Sequence, residues 1–76
     1  MKTIDEYSSV TSVIEKFIAR ENETITMYER SLHSLGDTTV TPMIHHLIEE
    51  KEHQIRILER TLDEVNEQFI LDEAII

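Results

Sequence analysis

One glycine and one proline, Gly36 and Pro42, are all this chain has of either residue, and they stand near its middle with Asp37-Thr38-Thr39-Val40-Thr41 between them. Glycine closes helices because it enters the left-handed conformation freely. Proline suits a helix's first turn, where its missing N–H has no partner to lose. The pair therefore predicts a helix stop, a short loop and a helix start, with Thr41 as N-cap and Pro42 as first helical residue. At the front, Thr3-Ile4-Asp5-Glu6 has the form of a capping box, Thr3 and Glu6 each serving the other's backbone N–H. The first helix is expected from about Ile4 to Leu35, the loop over 36–41, and the second helix from Pro42 to about Val65. Asn66 is a plausible break before a short C-terminal helix in 66–76. Two long helices joined by so short a loop must fold back as an antiparallel hairpin. The expected fold is all-α, one domain over residues 1–76.

Such a hairpin has too little chain to stabilise itself. With 76 residues and no cysteine, neither a disulfide nor a thiolate metal site can staple it, which leaves association or other metal ligands. A homo-oligomer, at least a dimer of hairpins forming a four-helix bundle, is the expected state. Sixteen acidic residues face seven basic ones, giving a formal net charge of -9. That field repels phosphate backbones and anionic lipid heads, so neither nucleic acid nor membrane is an expected partner. Asp5 and Glu6 stand where a signal peptide would need its apolar region, and no apolar run approaches a membrane span. A cytoplasmic protein is expected.

At about 100° per residue, Val10, Val13, Ile14, Phe17, Ile18, Ile25, Tyr28, Leu32 and Leu35 make one apolar stripe on helix 1. Glu21 falls in the middle of it. An unpaired carboxylate on a packing face costs several kcal/mol, so Glu21 needs a partner, and either a metal ion or a basic side chain would serve. Helix 2 carries two rows. Ile44, Leu47, Ile48, Ile55, Leu58, Leu62 and Val65 form the broad face expected against helix 1, interrupted by Lys51. His46, Glu50, His53 and Ile57 form a second row, roughly 120° around the helix, which a single partner helix cannot also cover. The second row is expected to meet another chain, as is the apolar tail of Phe69, Ile70, Leu71, Ile75 and Ile76.

Glu50 and His53 stand three residues apart and project from adjacent turns. Carboxylate-bridged di-iron bundles hold their metals with this Glu-x-x-His spacing. With twelve Glu and four His in the chain the pair carries little weight alone. Together with Glu21 and Tyr28 on the facing helix it makes half of a four-helix di-iron ligand set. His46, one turn before Glu50, is a further candidate ligand, whereas His33 and His45 have the look of surface residues.

The segments Ala19-Arg20-Glu21-Asn22-Glu23-Thr24-Ile25-Thr26-Met27-Tyr28 and Ile48-Glu49-Glu50-Lys51-Glu52-His53 resemble the ferritin-like superfamily. The spacing is similar to that of rubrerythrins and of the encapsulated ferritins, whose chain is likewise a two-helix half-ferritin. This resemblance implies that Glu21 is a terminal iron ligand, that Glu50 bridges two irons, that His53 ligates through a ring nitrogen and that Tyr28 stands behind them. It implies a di-iron ferroxidase site, two irons per pair of chains, completed between two hairpins that assemble further into a ring, with Fe(II) and O2 as reactants. Glu23 matches part of the family's outer acidic iron path, where Arg20 departs from it. An encapsulin nanocompartment is a further location the resemblance suggests, although the tail after Asn66 has no Gly-containing targeting peptide. Rubredoxin-like cysteine pairs are absent. A metal-free helical oligomerisation or adaptor module, with Glu21 paired to Lys51 or an arginine, is the alternative.

Overall fold

The computed structural model describes the backbone of residues 4–75 and the side chains of residues 5–73. Two helices, α1 (Ile4–Leu35) and α2 (Thr41–Ile75), pack against each other as an antiparallel hairpin about 59 × 16 × 11 Å in extent. No strand occurs among the described residues, and no helix there is long and apolar enough to cross a membrane. Asp5 and Glu6 lie in the first turn of α1 and His33 in its last, each on the side the helix dipole favours. Thr3 of the expected capping box lies outside the described residues.

Gly36 closes α1 as expected. Its φ is 67°, and its N–H donates to the Leu32 carbonyl at 3.0 Å, the single bond of a left-handed cap. Thr41 does something other than cap. Its hydroxyl accepts from the Thr38 N–H at 3.0 Å and donates to the Gly36 carbonyl at 2.9 Å, bracing the loop across its width. The Ile44 N–H reaches the Val40 carbonyl at 3.1 Å, so the helical ladder begins on Val40.

The expected break at Asn66 does not occur, and α2 runs unbroken to Ile75. Asparagine is a poor helix former because its side chain competes for backbone partners. Here the side chain is engaged elsewhere: Asn66 Oδ1 accepts from the Tyr7 hydroxyl across the hairpin. The Tyr7 ring stacks on Phe69, centroids 4.2 Å apart at 28°. These contacts latch the open end of the hairpin and hold the expected tail as the last turns of α2. Phe69 therefore docks on its own chain, while Ile70 and Leu71 point to solvent.

Both predicted stripes face inward. Ile14 and Ile44 are buried, and Val10, Ile18, Ile25, Tyr28, Leu32, Leu47, Ile48, Ile55, Leu58, Leu62 and Val65 are partly covered. No other described apolar side chain is buried, because one helix covers only one side of another. Val13, Phe17 and Leu35 at the edge of the α1 stripe stay exposed, as does the whole second row of His46, Glu50, His53 and Ile57.

Candidate functional site

Glu21 stands midway along α1 with its side chain only 16% exposed, facing Lys51 of α2 at 27%. The Lys51 Nζ lies 3.1 Å from Glu21 Oε2 and donates a long bond to Oε1 at 3.5 Å. It also donates to Gln54 Oε1 at 3.5 Å. Oε2, although nearer the ammonium, is buried and accepts no hydrogen bond. The two groups thus cancel in charge without saturating each other: the approach is close enough for Coulomb attraction and wrongly angled for a bond. A partly exposed pair of this kind contributes at most about 1 kcal/mol.

The Glu21–Lys51 contact fixes the level at which the two helices meet, and Glu50 and His53 fall within about 3 Å of Lys51 along the axis at 1.5 Å per residue. All three candidate ligands therefore lie at one height of the hairpin, pointing differently. Glu21 faces inward. Glu50, about 100° around α2 from Lys51, turns toward the side on which Gln54 lies, and His53 turns further outward. Both are exposed. Glu50 Oε1 lies 2.8 Å from His46 Nε2, one turn back. Tyr28 shares the inward stripe but sits seven residues, or about 10 Å, beyond Glu21, and Glu23 faces solvent.

A single hairpin thus joins Glu21 to Lys51, and Glu50 to His46, and does not bring Glu21, Glu50 and His53 together. Among the described residues no three His, Cys, Asp or Glu side chains converge on a common point. What the hairpin does provide is an open groove of about 390 Å³ beside Glu21, lined by Phe17, Arg20, Glu21, Gln54, Ile57 and Leu58. Phe17 is 50% exposed there and Ile57 45%. Gln54 had no place among the expected site residues, although its position one turn after Glu50 puts it on the same face. Tyr7 was legible too: it precedes Ile14 by seven residues and so continues the α1 stripe.

No protein-family model matches the chain, and no curated protein or solved structure matches it. Carboxylate and imidazole are donors that iron accepts together. A buried carboxylate oxygen with vacant lone pairs is one such donor.

Proposed function

We propose that the protein is an iron-binding, ferritin-like half-bundle that oxidises Fe(II) to Fe(III) with O2 at a site completed when a second hairpin covers the groove. The observation that carries this is Glu21, a carboxylate in the centre of a packing face with one oxygen unbonded, level with Glu50 and His53 on the facing helix. Two-fold pairing would set the same three groups opposite from a second chain, bringing four carboxylates and two imidazoles to one volume. Four carboxylates balance two Fe(II) in charge, so the loaded site is neutral in an apolar surround, whereas the empty one concentrates negative charge. Glu50, on the groove side, would hold the metal together with Glu21 and His53. For this Glu50 must part from His46, an exposed one-turn contact of small worth. O2 receives the electrons, and the chain's contribution is to hold the two Fe(II) side by side.

The test is Fe(II) oxidation in air, with an expected capacity near two irons per pair of chains. Glu50→Ala should abolish the acceleration over buffer, and Tyr28→Phe, a seven-residue step away from Glu21, should leave most of it. A parent protein no faster than Glu50→Ala would overturn the reading.

A second reading is favoured by the Glu21–Lys51 ion pair. It neutralises the inward carboxylate within one chain, as a metal-free helical oligomerisation module would. That reading expects assembly and melting temperature to be indifferent to Fe(II) and to chelators.

A further inference from the structure

Resting on the assignment of Glu21 as a metal ligand, we propose that Lys51 is the resident counter-ion of that carboxylate, an internal cation that a divalent metal must displace. Its departure then sets how tightly the half-site takes up metal. Both oxygens of Glu21 lie within 3.5 Å of a single Nζ, so a metal ion arriving at Glu21 would meet an ammonium already on the carboxylate. Two cations cannot share that position cheaply inside a partly covered groove. One must leave.

Three features make the lysine the leaving partner. The first is the quality of its bond. A purely structural ion pair gains from saturated hydrogen bonds, whereas here the nearer oxygen, Oε2, accepts none. Lys51 supplies charge without occupying the lone pairs that a metal would use. The second is its freedom. The side chain is 27% exposed and carries its charge on a flexible four-carbon stem, so the ammonium can swing to water with the backbone unmoved. The third is a waiting position. Gln54 Oε1, 3.5 Å from the same Nζ, lies one turn along on the exposed, groove-lining side and can accept the ammonium as it leaves Glu21. No other cation is ion-paired to Glu21 among the described residues, although Arg20 lines the same groove. In the metal-free protein Lys51 thus keeps an inward carboxylate tolerable, and the same contact raises the metal concentration needed to load it.

The experiment is an anaerobic calorimetric titration with Fe(II) alone on the full-length parent, Lys51→Met, Lys51→Arg and Glu21→Gln. Lys51→Met, close in shape and uncharged, should bind about fivefold more tightly per chain, the factor that corresponds to the upper range for a part-exposed ion pair. Lys51→Arg, whose fork can hold both carboxylate oxygens, should bind more weakly than the parent. On adding diamagnetic Zn(II), the Lys51 ammonium signal in nitrogen-15 spectra should move to the position of a free lysine. If Glu21→Gln weakens binding while Lys51→Met and the parent agree, Lys51 is a bystander and this proposal alone falls. If Glu21→Gln binds as the parent does, the ligand assignment falls and takes this proposal with it. Should Lys51→Met fail to fold, Lys51→Arg decides the matter, because unchanged affinity there contradicts displacement. Binding by Lys51→Met with none by the parent would be the strongest support.

Discussion

The groove face should reveal itself through Phe17. Its ring is half covered by its own hairpin, leaving 50% exposed beside Ile57 at 45%. A phenylalanine buries on the order of 200 Å² when fully enclosed, so a second chain seated on the groove would remove about 100 Å² more from water, worth about 2.5 kcal/mol at 25 cal/mol per Å². Two-fold symmetry counts it twice, to about 5 kcal/mol, if coverage is complete; half coverage still leaves about 2.5 kcal/mol, or roughly sixtyfold in dissociation constant. Phe17→Gln keeps helix propensity and adds no charge, so it isolates the apolar contribution. Ile70→Gln is the control. Ile70 is 64% exposed, and it lies about 160° around α2 from Gln54, on the opposite side of the hairpin. Sedimentation velocity across a concentration series should show Phe17→Gln dissociating at least sixtyfold more readily and Ile70→Gln much less. Equal effects of the two substitutions, or a folded parent monomer at micromolar concentration, would refute the reasoning.

Substitutions at three further positions test the fold, each melted at one fixed protein concentration, since assembly contributes to stability. Tyr7→Phe removes the hydroxyl bonded to Asn66 and keeps the stack on Phe69, so a loss of about 1 kcal/mol, or about 4–8 °C, is expected; an unchanged melt would show the latch to be idle. Gly36→Ala meets nothing within 4 Å of the added Cβ, so its whole effect is the φ of 67°. It should cost about 1–2 kcal/mol, and Gly36→Asn distinctly less; equal costs would contradict a backbone origin. Thr41→Val keeps the shape and deletes both loop bonds, for an expected loss of about 1 kcal/mol in denaturant melts. Thr41→Ser, which keeps the hydroxyl, should recover most of it.

The extent of α1, the place of the turn and the facing stripes were open to sequence because they follow from chain-local physics. A single glycine and proline leave one place for a turn, and a 3.6-residue period sorts inward from outward positions. Thr41 was misplaced by one step, since cap preference says that a threonine hydroxyl will bond nearby backbone without saying which backbone. Asn66 was misjudged because its helix-breaking tendency is local, while the Tyr7 hydroxyl that overrides it comes from the other end of the chain. The candidate site was legible as a set of residues, not as a geometry. Glu21 announced itself by interrupting one apolar stripe and Lys51 by interrupting the other, and the two interruptions meet. Glu50 and His53 lie exposed on the row that the helical period sets apart from the packing face.

The hairpin is a rod one helix pair thick, and the contacts between its two helices are strung along it like rungs. Glu21 meets Lys51, and Tyr7 meets Asn66 and Phe69, with about 21 Å of rod between the two rungs at 1.5 Å per residue. Within one hairpin no third element, among the described residues, lies alongside to carry strain from rung to rung, so each should respond to substitution on its own account. Free-energy changes from Tyr7→Phe and Lys51→Met should then sum in the double variant to within a few tenths of a kcal/mol. The same independence is permissive for change of length. Seven residues added to α1 and seven to α2, between these two rungs, would restore both stripes, move the Tyr7 latch outward by about two turns, and leave the Glu21 level where it is.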